Sequence, residues 1–198
     1  MPLDTVSQNA GMGTRISQFP GVRNNGSLTF DGRNMTSGWR GIRMATWADF
    51  QTAAPRLATK GSALLFQYGP PLGYLATVRP DGGPRVHPFC PVIAEGGLWT
   101  YILRRSPKGA DLRRDPRFAL HAFCPTDVDD EFFVRGRAEP TEPSADLKAA
   151  IIEAAVPASV GADEEQLFQL HIERVLIATY THRGQWPPSY ERWFASET

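Results

Sequence analysis

No run of about 18 or more apolar residues occurs in the chain, so no segment reads as a membrane-spanning helix. The N-terminus also lacks the charged start and apolar core of a secretion signal. Cysteine is nearly missing: Cys90 and Cys124 are the only two in 198 residues, too few for a disulfide framework and without metal-type spacing. These absences make the cytoplasm the expected compartment. An excess of one charge is lacking as well. The 21 basic residues match the 21 acidic ones, which argues against a nucleic-acid-binding protein with its broad basic face. His87, His121, His171 and His182 lie far apart without carboxylates or cysteines at ligand intervals, so no metal site is expected. No internal repeat and no Ser-His-Asp arrangement is legible.

What is present suffices for one compact domain of ~150 residues plus appendages, since 41% of the chain is hydrophobic and 11% aromatic. Residues 1–43 are rich in Gly, Asn, Ser and Arg and keep neither helical nor strand periodicity, which predicts a disordered leader followed by a folded domain over 44–198. Met44 precedes the first regular pattern and is a candidate physiological start. From Thr46, Trp47, Phe50, Ala54 and Leu57 repeat at helical spacing, with Asp49 placed for a capping box and Pro55 set to bend or divide the helix. Strands are expected at 72–78, 85–93, 98–103, 117–123, 131–139 and 173–180, with a tight turn at Pro80-Asp81-Gly82. Pro88 and Pro91 lack N–H donors, so the second of these strands should be an edge, bulged or interrupted. Helices are expected at 144–155 and 163–170. About six short strands with hairpin signals between the early ones favour a mainly β fold, a small antiparallel barrel with flanking helices laid out as a meander. Cys90 and Cys124 read as small buried apolar side chains.

The densest charge lies between two of these strands. From Arg104 to Arg117 six cations stand against Asp111 and Asp115, an excess of four in a chain of zero formal net charge. Ser106-Pro107 is a helix start, with Ser as N-cap and Pro at the first helical position, and the helix should end near Asp115, ahead of Pro116. Free N–H groups at that N-terminus, together with Ser106 and Lys108, suit a phosphate. Arg114, at the far end of the helix, should face solvent. A solvated basic loop explains the charge equally simply.

The blocks Gly73 to Pro88, Gly97-Leu98-Trp99, Ser106-Pro107-Lys108 and Asp111 to Leu120 occur in an order that resembles the pyridoxamine 5′-phosphate oxidase-like family, over roughly residues 47–180. The resemblance implies a split β-barrel of the FMN-binding type, a homodimer, and FMN or a deazaflavin coenzyme in clefts between subunits; some relatives bind haem. It implies phosphate contacts from Arg85, Ser106 and Lys108, and contacts to the ring system or ribityl chain from Val86, His87, Tyr101 and Ile102. It further implies an oxidoreductase, with hydride exchanged between the flavin and a small substrate or a reduced nicotinamide cofactor. A carrier or sensor without turnover is the other class of function. The family's Arg-Lys after Ser is here Pro107-Lys108, and Cys90 stands where its second strand ends in Lys. The oxidase's C-terminal block does not align onto Arg183 to Trp193, which points away from pyridoxamine phosphate as the substrate. Trp186 and Arg192 either cover a partner's cofactor or belong to an aromatic tail packed on the barrel.

Overall fold

A computed structural model describes residues 44–155 and 160–195 of the chain. The expected leader, residues 1–43, lies outside the described residues. Regular structure opens on the expected capping box: the Asp49 N–H donates to the Thr46 hydroxyl at 3.2 Å while the Asp49 carboxylate accepts the Thr46 N–H at 2.9 Å. Helix α1 (Trp47–Ala53) follows, and Pro55 divides rather than bends the segment, opening α2 (Pro55–Phe66) at the position where its missing N–H costs nothing. Next come β1 (Gly73–Val78), β2 (Pro84–Phe89), β3 (Val92–Ala94) and β4 (Gly97–Leu103). Helix α3 (Pro107–Arg114) leads to β5 (Arg117–Ala122) and β6 (Glu131–Thr141). Helix α4 (Ala145–Ala154), β7 (Glu165–Thr179) and β8 (Ser189–Phe194) complete the described chain.

The strands form one antiparallel sheet in the order β2-β1-β5-β6-β7-β4-β3, with β8 paired to β7. Its two end strands, β2 and β3, are consecutive in the chain and separated only by Cys90 and Pro91. The ends of the path must therefore lie side by side, which is possible only if the sheet curls on itself. Pro88, near the end of β2, and Pro91, between the two strands, have no N–H to complete a ladder, so the curl stays open at this seam. The result is a mainly β, split-barrel fold with flanking helices. Alternate residues of the strands point inward, among them Leu75, Leu120, Phe132, Val134, Phe168 and Ile177, and pack with Phe50 and Leu65 of the first two helices into one core. A second, smaller cluster lies under α4 on the opposite face, around Val92, Trp99, Ile151 and Leu167.

The structure departs from the sequence expectations at four points. The described residues form eight strands, not about six, and the order is no meander, because β1–β5 and β4–β7 pair across intervening elements. The helix expected at 163–170 is the first part of β7. Leu167 and Phe168 are buried on opposite faces there, and β4 and β6 bracket the segment on either side, so paired edges and two-sided burial override a modest helical propensity. The aromatic tail includes a strand, β8, whose Trp193 packs on Phe50 at 5.0 Å between ring centroids, while Trp186 is 75% exposed. Cys90 is half-buried, but Cys124 is exposed. No helix among the described residues is long and apolar enough to cross a membrane.

Candidate functional site

Helix α3 forms as its termini dictate. The Ser106 hydroxyl accepts the Gly109 N–H at 3.2 Å, Pro107 occupies the first turn, and Asp115 leaves helical geometry ahead of Pro116. Gly109 is buried against β4, where an added Cβ would stand 3.1 Å from the Leu103 carbonyl oxygen and 3.3 Å from the Ile102 side chain. That close approach seats the helix N-terminus on the sheet. Positions 108, 111 and 114 then share one helix face. Lys108 reaches the Pro88 carbonyl at 3.4 Å, Asp111 pairs with Arg85 at 2.7 Å, and Arg114 donates to the Val78 carbonyl. The helix thus runs against the direction of β2, beside the seam of the barrel.

Asp111 is the centre of this arrangement. One carboxylate oxygen accepts Arg85 Nε–H at 2.7 Å and the Thr77 hydroxyl at 3.0 Å, and the other accepts Arg114 Nη1 at 3.3 Å. Burial pushes its pKa up, but the hydrogen bonds from Arg85, Thr77 and Arg114 outweigh that and hold the carboxyl below its ordinary range. Two guanidiniums against one carboxylate leave the cluster cationic. Arg85 spends only its Nε–H on Asp111, and its two Nη groups have no hydrogen-bond partner among the described residues.

The other arm of the site comes from β4 and β7. Tyr101, half-buried, carries a hydroxyl that is buried without a hydrogen-bond partner among the described residues. Glu165 opens β7 opposite Leu103, and one of its carboxylate oxygens accepts the N–H groups of Gly161 and Ala162 at 2.7 and 3.1 Å. Cys90, Tyr101 and Lys108 all lie within electrostatic reach of Glu165. Burial, reinforced by Glu165, raises the Cys90 thiol and the Tyr101 phenol. Burial lowers Lys108, with Glu165 pulling weakly the other way. Cys90 is therefore a protonated thiol at neutral pH, unsuited to nucleophilic work.

Of the residues assigned from the sequence, Arg85 and Lys108 meet at the seam between β2 and α3, whose N-cap is Ser106, while Tyr101 packs against the cluster under α4 and shares Glu165 with Lys108 as a nearby charge. His87 lies two residues from Arg85, half-buried on the same side of β2. Val86 points to the opposite face and is 59% exposed, and the Ile102 side chain is sealed in the barrel core, leaving only its backbone available to a ligand. Arg114 is exposed, as expected, but its guanidinium is also tied to Asp111 and the Val78 carbonyl. Asp111 and Glu165 were missed by sequence reasoning. For Asp111 a signal existed, the 108/111/114 spacing on a capped helix; for Glu165, inside a segment with helical composition, none did. Among the described residues no group of three or more His, Cys, Asp or Glu converges as a metal site.

A family model described as pyridoxamine 5′-phosphate oxidase matches residues 63–178. Among solved structures, a haem-binding protein from Mycobacterium smegmatis is similar at 19% identity and a TM-score of 0.54, over 68% of this chain and 57% of that one. The chain thus spans little more than half the length of that protein. A candidate pyridoxamine 5′-phosphate oxidase from Listeria innocua (20% identity, TM-score 0.48, 60% of this chain and 95% of that one) and a haem storage protein from Vibrio cholerae (16%, 0.47, 60% and 91%) are similar as well. No curated protein matches the chain.

Proposed function

The chain belongs to the pyridoxamine 5′-phosphate oxidase family, and from that premise we propose that it is an FMN-binding oxidoreductase acting on a small substrate other than pyridoxamine phosphate. The observation that carries this reading is the seam itself. Among the described residues Arg85 offers unbonded Nη groups and Tyr101 a buried hydroxyl that lacks an acceptor, while Lys108 offers a partly dehydrated ammonium. Two cations and a capped helix N-terminus fit a phosphate. An orphaned buried hydroxyl is costly unless a ligand atom completes it, and the polar edge of a flavin or its ribityl chain would do so. Bound flavin would supply the hydride chemistry, while the chain's own residues bind it, orient it and exclude water. Cys90 and Pro107 stand where cations are found in the oxidase pattern, so the phosphate would rest mainly on Arg85 and Lys108.

The partner in this reading is a second copy of the chain. The outward face of β1 and β2 exposes Val86 (59%) and Tyr74 (45%), the latter stacked on Phe123 at 4.5 Å. Such an apolar sheet face suits an isologous interface that would close the cleft.

The absorbance spectrum of the purified protein tests the cofactor directly. A flavin band that bleaches anaerobically with a reduced nicotinamide cofactor supports the oxidoreductase. A Soret band would replace it with haem carriage, for which His87 is the histidine on the cleft side of β2. A colourless protein that takes up deazaflavin but not FMN would move the reading to a deazaflavin-dependent reductase.

A further inference from the structure

We propose that Asp111 is a positioning residue that aims the Arg85 guanidinium at the anionic end of the ligand. The inference rests on Arg85 being an anion ligand, but it concerns a residue to which neither the family resemblance nor the sequence reasoning gives a role.

The geometry is specific. A guanidinium can meet a carboxylate end-on, through both Nη groups, or side-on, through Nε and one Nη. Asp111 takes the Nε–H at 2.7 Å. That contact holds the Nε edge of the fork against the carboxylate and leaves its outer edge, formed by the two Nη groups, turned away from it. An Arg used merely to neutralise a buried acid would be expected to spend its outer nitrogens on it. Here Asp111 receives its further bonds from elsewhere, Thr77 at 3.0 Å and Arg114 at 3.3 Å. Thr77 and Asp111 are 3% and 2% exposed, whereas the Arg85 side chain is 27% exposed. The anchor is buried and its far end opens to the cleft, as pre-organisation of an anion ligand requires. The register supports the same role. Thr77 pairs with Arg85 across β1 and β2, so the strand ladder and the helix both place the Asp111 carboxylate under the root of the Arg85 side chain. Arg114, the second cation on Asp111, keeps the cluster positive, so the carboxylate can hold Arg85 without cancelling the attraction to a phosphate.

The test is a double-mutant cycle read with two ligands, FMN and riboflavin, by flavin fluorescence quenching. Arg85→Ala and Asp111→Asn should each weaken FMN binding about tenfold, which is ~1.4 kcal/mol, and change riboflavin binding less than about twofold. In the Arg85→Ala background, Asp111→Asn should cause no further loss of FMN affinity, because nothing remains to be aimed. A role in stability alone would lower both ligands together and would persist in that background. Should Asp111→Asn not fold, Thr77→Val removes one restraint on the carboxylate at equal volume and should weaken FMN, not riboflavin, by a few-fold. Loss of FMN affinity in Arg85→Ala with none in Asp111→Asn or Thr77→Val overturns the positioning role and leaves the phosphate site standing. No effect of Arg85→Ala, or no flavin binding by the native protein, overturns both.

Discussion

Lys108→Ala is the sharpest perturbation of the proposed phosphate site. The ammonium is half-buried, burial lowers its pKa, and its one hydrogen bond among the described residues, to the Pro88 carbonyl, is long at 3.4 Å. A bond of that length contributes little, so truncation should change stability by less than about 0.5 kcal/mol. A phosphate would gain far more from the same group. A charge-assisted hydrogen bond from an ammonium contributes about 1.5–3 kcal/mol, and 1.4 kcal/mol is a tenfold change in Kd. FMN binding should therefore weaken roughly tenfold to a hundredfold, while riboflavin, which lacks the phosphate, should bind almost as before. Arg114 is no control for this experiment, since it bonds Asp111 and the Val78 carbonyl. Arg105 serves instead: it is exposed and lies just ahead of the helix. Titration of both variants with both ligands by fluorescence quenching decides the matter. Equal losses for FMN and riboflavin, or a larger loss in Arg105→Ala, would refute the assignment.

Further outcomes follow from the same geometry. Because burial holds Lys108 below its ordinary value of 10.5, FMN affinity should begin to fall at a pH below that value as the ammonium deprotonates, and Lys108→Arg should remove the decline. Asp115 is held below its ordinary 3.8 first by its hydrogen bond from Arg117. Its contribution to stability is thus present above pH 3.8 and lost as pH falls through the lower folded value, so Asp115→Asn should flatten the acid limb of a melting-temperature profile. By light scattering the native chain should give dimers, and Val86→Glu, which places a carboxylate on the exposed β2 face, should yield monomers. A native chain that is monomeric at micromolar concentration would rule out a shared cleft. At Gly136 an added Cβ would lie 1.8 Å from the His171 carbonyl oxygen, where the β6–β7 register shifts. Gly136→Ala should therefore lower the melting temperature far more than Ala substitution at exposed Gly82.

Much of this molecule is written locally. The Thr46 capping box, the break at Pro55, the Pro80-Asp81-Gly82 turn with Gly82 at φ +82°, and the Ser106 cap all form as short-range chemistry requires. The same holds for the interruption near Pro88 and Pro91, because a residue without an N–H cannot complete a ladder whatever surrounds it. The basic stretch between β4 and β5 was legible as a capped helix with a cationic start, and the ordered blocks from Gly73 to Leu120 pointed to the family. Tertiary structure alone decided the rest. Residues 163–170 have helical composition, yet 167–169 lie between β4 and β6, with Leu167 and Phe168 buried on opposite faces, and long-range pairing outweighs a propensity of a few tenths of a kcal/mol per residue. Val86 and Ile102 were assigned to the site along with their neighbours Arg85 and Tyr101, but a strand's alternation sends the Val86 side chain outward and the Ile102 side chain into the core. Asp111 looked like a counter-charge in a basic run. Only the meeting of α3 with β1 and β2 shows it holding Arg85, because Thr77, Arg85 and Arg114 converge on its carboxylate from three separate elements.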